Sequence, residues 1–171
     1  MIKPNKASAP KIGISEDQRL RVVEVLNTTL SDEFVLYTTT RNFHWNVVGP
    51  QFSELHRFFD EQYQELNTIV DDVAERARSL GGRALGSLSE FLRHARLKEH
   101  QDVPEPGAMI AALLEDHETL VQALRRDLKM CAEEYEDQGT SDFLTGLMEH
   151  HEKMAWMLRA FLDPGTPSRS R

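Results

Sequence analysis

Residues 52–80 read FSELHRFFDEQYQELNTIVDDVAERARSL, and this stretch decides the fold. Phe52, Leu55, Phe59, Leu66, Val70, Val73, Ala77 and Leu80 recur at the three-and-four spacing of an amphipathic helix. No Pro or Gly interrupts the stretch, and Gly81-Gly82 stops it. Beside the apolar stripe lie His56 and Asp60, four residues apart, and Asp71 and Glu75, again four apart. Each pair therefore stacks on one face within reach of a single cation. The two pairs are mirror images about the point between residues 65 and 66.

Asp60 and Asp71 are eleven residues apart, which is about 16 Å of helical rise. Metal–ligand bonds are only about 2 Å long, so the two pairs cannot share a metal within one chain. An antiparallel copy of the same helix, crossing near residues 65 and 66, sets His56 and Asp60 of one chain opposite Glu75 and Asp71 of the other. The spacing thus predicts two identical sites at a two-fold seam.

His44 joins by a second count. Gly49-Pro50 turns the chain after the preceding amphipathic segment, and His44 and His56 lie six residues either side of Pro50. In an αα-hairpin they sit level. The candidate ligands are then His44, His56, Asp60, Asp71 and Glu75. Two imidazoles and three carboxylates suit iron and other divalent first-row ions better than a thiolate-type structural zinc site. Taken one at a time, each of the four helix positions reads first as a solvated face, and His44 first as a packed histidine. The shared symmetry is what sets them apart. None of the seven histidines has Glu three residues before it, so the Glu-x-x-His pattern of intrasubunit di-iron bundles is unsupported.

The chain has 171 residues, enough for one domain with a full core, and shows no break in composition. It has no apolar run near the ~20 residues of a membrane span, so no membrane association is expected. The N-terminal segment has lysines but no apolar centre, unlike a secretory signal. The single Cys131 has no partner for an internal disulfide, which suits a reducing cytoplasm. A net charge of −8 argues against nucleic-acid binding by the body of the protein. Lys3, Lys6 and Lys11 precede the first acidic residue, Glu16, and Arg169 and Arg171 close the chain. Residues 1–14 are expected to form a flexible basic arm, 15–162 the folded bundle, and 163–171 a flexible tail.

Ser15, with Gln18 three residues on, predicts a capping box opening a first helix that runs to about residue 48. After the ligand-bearing helix comes a long crossover to about Pro106, with a short helical piece over residues 89–96. Phe91, Leu92 and Ala95 are placed there to cover a neighbouring surface. A third long helix is expected over residues 107–136, and a fourth from a cap at Thr140 or Ser141 to about Leu162. Four long helices with one long central connection point to an all-α, ferritin-like four-helix bundle. Trp156 is assigned to the core of the last helix. His94, His100, His117, His150 and His151 are assigned to surface or helix contacts.

Five stretches carry a resemblance. They are Asn42-Phe43-His44-Trp45-Asn46, then His56 to Glu61 with Asp71 to Arg76 and Leu80-Gly81-Gly82, and later residues 151–160. On these the chain resembles the Dps mini-ferritins, DNA-binding proteins from starved cells, over nearly all of its length between the flexible ends. The resemblance implies a dodecamer built from dimers, with ferroxidase sites at the seams formed by the same five ligands. It implies oxidation of Fe(II) by hydrogen peroxide in preference to dioxygen, a di-iron site in which Asp60 and Glu75 bridge or nearly bridge, and storage of ferric mineral. It places Trp45 near the iron as an interceptor of stray oxidising equivalents, a packed aromatic at a helix end being the other reading. It also implies acidic three-fold pores near the start of the last helix, where Glu133, Glu134, Asp137 and Asp142 stand and Glu133 and Asp142 are preferred. Bacterial cytoplasm or nucleoid is the implied location.

Two functions rest on different residues. The five ligands make a ferroxidase and iron store that protects DNA chemically. The terminal lysines would instead make a DNA-coating protein, since twelve copies of a weak arm bind multivalently. An assembly scaffold without iron chemistry is the third reading, and the intact ligand set opposes it.

Overall fold

A computed structural model describes residues 10–163. Among them the fold is all-α, with five helices: α1 (Glu16–Asn46), α2 (Phe52–Ser79), α3 (Leu88–His94), α4 (Pro106–Glu133) and α5 (Gln138–Leu162). Lys3, Lys6 and residues 164–171 lie outside the described residues, and Lys11 is exposed. At the start of α1 the Ser15 hydroxyl accepts from the Gln18 N–H, while the Gln18 side chain accepts from the Ser15 N–H. That reciprocal bond is the capping box the sequence predicts. At the end of α2, Gly81 turns left-handed with φ +80°. Its N–H reaches the Arg78 carbonyl, and the Gly82 N–H reaches that of Ala77. A Cβ at Gly82 would run into Val23 of α1, so the glycine also lets the two helices close up.

α1 packs against α2, α3 and α4, and α5 packs against α4 and α2. With neighbours on several sides, α1 buries Val22, Leu26, Leu30, Leu36 and Phe43 together with Thr29, Asp32, Glu33 and Thr40. The crossover can be followed along α1 by its anchors. Arg19 donates to the Leu80 carbonyl, the Asn27 amide binds Arg83 and Leu85, and Asp32 accepts from the N–H groups of Arg96 and Leu97. Phe43 then meets the ring of His100. The anchors advance from one end of α1 to the other, so α4 starts beside the end of α1 and runs parallel to α2. Phe91 of α3 stacks on Phe34 with ring centres 4.4 Å apart, whereas Leu92 remains exposed.

Three local expectations change. α4 ends at Glu133, not near residue 136, because Glu136 takes a left-handed φ of 55° and reverses the chain. The cap of α5 is Asp137 rather than Thr140 or Ser141: its carboxylate accepts from the Thr140 N–H and hydroxyl, at 2.9 and 2.6 Å. Trp156 is 63% exposed and lies outside the core. Of the two places given to the histidines, surface or helix contact, His117 and His151 take the second, and both are fully buried.

These two histidines join Glu33 in a chain across three helices. His151 Nε2 is 2.9 Å from Glu33 Oε1, and His151 Nδ1 is 2.9 Å from His117 Nδ1. All three side chains are 0% exposed. A carboxylate oxygen only accepts, so His151 donates to Glu33 through Nε2–H. Burial first, and the neighbouring His151 second, push His117 well below the ordinary histidine range. His117 is therefore neutral.

Two outcomes follow from this architecture. Asp32 is buried and holds Arg96, which also grips Asp127 of α4. Asp32→Ala should cost about 3–5 kcal/mol, the usual cost of breaking a buried ion pair, with a lower urea midpoint and faster amide exchange through residues 83–105. Below about pH 6.5, where free histidine gains its proton, the unfolded chain binds a proton that folded His117 refuses. Stability from this residue is complete above that pH and is lost as pH falls. Thermal melts taken from neutral to mildly acidic pH should fall more steeply for the wild type than for His117→Gln.

Candidate metal centre

The turn between α1 and α2 sets two imidazoles face to face. Gly49, at φ +109°, makes the reversal, and the rings of His44 and His56 stack with centres 3.9 Å apart. His44 Nδ1–H donates to the His56 carbonyl at 2.7 Å, and His56 Nδ1–H donates to the His44 carbonyl at 2.8 Å. Because carbonyls only accept, both protons sit on Nδ1 and both Nε2 lone pairs are left for a ligand. Asp60, one turn beyond His56, brings Oδ1 to 4.0 Å from His44 Nε2. A cation with bonds of about 2 Å fits between two donors at that spacing.

The Asp60 carboxylate is itself held. The Tyr63 hydroxyl donates to Oδ1 at 2.5 Å and the Gln64 amide donates to Oδ2 at 2.6 Å. Tyr63 also meets His44 edge-on at 5.2 Å between ring centres. Sequence reasoning did not assign Tyr63 or Gln64 a role. Their spacing of three and four from Asp60 on one helix was the available signal.

Asp71 and Glu75 lie three turns further along α2, both exposed. Among the described residues of a single chain, no group of three or more His, Cys, Asp or Glu side chains closes a metal site. The structure therefore brings His44, His56 and Asp60 together at one end of α2 and leaves Asp71 and Glu75 at the other. Arg76, next to Glu75, donates to the Thr140 hydroxyl at 2.9 Å and to the Asp137 carboxylate, fixing this end of α2 to the start of α5.

The remaining candidates are more dispersed. Trp45 is 62% exposed, with the Arg41 guanidinium 4.8 Å from its ring centre. Glu133 is exposed and ion-pairs with Lys129 at 3.9 Å, and Asp142 accepts from Gln138 at 2.8 Å. Asp137 is buried and used as a cap, so it is not available to line an opening. His100 pairs with Asp116, whose carboxyl is pushed up to about 6 by burial. Burial likewise pushes the Cys131 thiol up to about 12, making it an inert core group.

A family model for the ferritin-like domain matches residues 23–165. A low temperature-induced protein of Nostoc is 48% identical over 153 residues, 89% of this chain and 86% of its own. DNA protection during starvation protein 2 of Bacillus anthracis is 39% identical over 84% of this chain and 97% of its own. Among solved structures, the Dps protein of Vibrio cholerae superposes with a TM-score of 0.86 at 34% identity, over 93% of this chain and all of that one. It is described as a member of a broad superfamily of ferritin-like diiron-carboxylate proteins. With this bundle and these relatives, the chain belongs to the ferritin-like superfamily and, within it, to the Dps family.

Proposed function

We propose that this chain is a ferroxidase subunit of a Dps-type cage, oxidising Fe(II) at sites shared between two chains and storing the ferric product. The observation that carries the reading is the reciprocal His44–His56 hydrogen bonding, which leaves both Nε2 lone pairs for a ligand, that of His44 4.0 Å from the Asp60 carboxylate. Three donors are too few to enclose a reactive pair of irons. In this reading the exposed Asp71 and Glu75 of an antiparallel partner helix supply the other two, which the mirror spacing along α2 supports.

The donor set fits iron, which is substrate here. Hard carboxylates stabilise Fe(III) over Fe(II) and so favour oxidation, while imidazoles accept either state. Two Fe(II) ions at one seam each give one electron to hydrogen peroxide. Its O–O bond breaks and both oxygens leave at the oxidation level of water, so no hydroxyl radical is released. Asp60 is held by Tyr63 and Gln64, which fixes where its oxygens meet the metal. Dioxygen is the slower alternative oxidant.

A closed dodecamer in the bacterial cytoplasm belongs to the same reading, with Glu133 and Asp142 drawing cations toward an opening between subunits. DNA is then protected by removal of iron and peroxide. Coating of DNA through Lys3, Lys6 and Lys11 is the alternative reading, and it is opposed by the net −8 of each chain, which repels phosphate.

Asp60→Ala and Glu75→Ala proteins should assemble by size-exclusion chromatography yet lose the fast phase of peroxide-driven Fe(II) oxidation. The loss should exceed the roughly 10–100-fold that removal of a supporting hydrogen bond costs a metal site. Unchanged rates in assembled variants would remove these carboxylates from the reaction.

A further inference from the structure

The stripe of α2 that carries the metal candidates has two further members, Gln64 and Asn67. They lie at equal distances either side of the midpoint between residues 65 and 66, as His56 and Glu75 do and as Asp60 and Asp71 do. At about 100° of turn per residue, all six positions fall within one arc about 100° wide. His56 and Asp60 are half-buried, and the other four are exposed. None of the six is apolar. A second copy laid along this stripe therefore meets polar groups, and its register depends on specific pairs rather than on apolar burial.

The antiparallel crossing that sets Asp60 opposite the partner's Asp71 also sets Gln64 opposite the partner's Asn67. Packed helix axes stand about 8–10 Å apart, a gap that a glutamine and an asparagine side chain span together. Gln64 is engaged at one end only, its Nε2 donating to Asp60 Oδ2 at 2.6 Å. A primary amide has a second N–H and a carbonyl oxygen besides. Asn67 has no hydrogen-bond partner among the described residues of its own chain. An exposed glutamine with a single bond keeps much of its rotamer freedom, so Gln64 by itself holds Asp60 loosely. Two amides laid side by side exchange two N–H···O bonds, each group donating once and accepting once. The glutamine is then gripped at both ends.

Resting on the shared-site reading above, we propose that Gln64 pairs amide to amide with Asn67 of the partner subunit, and that this bridge fixes the Asp60 carboxylate for the metal. Asn67 touches no iron. It is a positioning residue that acts through Gln64 across the seam, in the way that groups hydrogen-bonded to a metal ligand set that ligand's orientation. Two such bridges lie side by side at the two-fold, between the two metal sites. Both are uncharged, whereas a carboxylate at either position would add negative charge between two sites that each gather three carboxylates.

The test is a double-mutant cycle on assembled protein, reading the initial rate against Fe(II) concentration with hydrogen peroxide in excess. Gln64→Ala and Asn67→Ala should each raise the KM for Fe(II) roughly 10-fold, the lower end of what a supporting hydrogen bond contributes to a metal site. The rate at saturating Fe(II) should stay nearly unchanged. The double variant should be no worse than either single one, since both remove the same contact. Effects that multiply in the double variant, or an Asn67→Ala protein that behaves as wild type, would overturn the bridge. Gln64→Met and Asn67→Leu, which keep the bulk and lose the hydrogen bonds, carry the same cycle if the alanine proteins fail to assemble. Asp71→Ala reports on the shared site itself. Slow oxidation by Asp71→Ala beside a wild-type rate curve for Asn67→Ala sinks the bridge alone, whereas unchanged oxidation by Asp71→Ala sinks the seam reading beneath it.

Discussion

Two hydrogen bonds between the ends of α1 and α2 organise the rest of this molecule. Each of His44 and His56 gives its Nδ1 proton to the other's backbone carbonyl. The pair staples one helix to the next at the Gly49-Pro50 turn and selects the tautomer in both rings at once. A histidine with a free ring could turn either nitrogen to solvent. Here neither can turn without breaking the bond that holds its neighbour. Structure and chemistry are served by the same two protons.

The long crossover bears on the same site from a distance. Because it runs the length of α1 and is anchored by Arg19, Asn27 and Asp32, α4 and α5 return to cover α1 and α2. α2 is held to α5 near its end through Arg76 and Asp137. Its charged outer stripe is thereby kept clear of its own bundle. His56, Asp60, Asp71 and Glu75 remain half-buried or exposed along one helix, where a second copy can reach them.

The fold was legible from α2 outward because apolar spacing, the Gly81-Gly82 stop and the Ser15–Gln18 box are local signals that packing did not override. The level placement of His44 and His56 followed from counting about Pro50. What escaped was non-local. His117 and His151 occupy apolar stripes, three or four residues from Leu113, Leu120, Leu147 and Met154, and that position was a hint of burial. Their partner Glu33 lies on another helix, and no spacing rule links residue 33 to residue 151. Asp137 stands in the sequence among the acidic residues expected around a pore, and its capping role is hidden there because it depends on the left-handed turn at Glu136. Trp156 was assigned inward by residue type alone, whereas its helical position puts it on the outer face.

The claim that each metal site is divided between two chains has a direct test in mixed assemblies. One variant lacks His56 and Asp60, the other lacks Asp71 and Glu75, and each alone should oxidise Fe(II) slowly. Dissociated, mixed and reassembled, the two should regain fast oxidation, since every mixed dimer rebuilds one complete seam site from the intact half of each chain. Reassembled mixed cages that remain as slow as either parent would contradict a shared site.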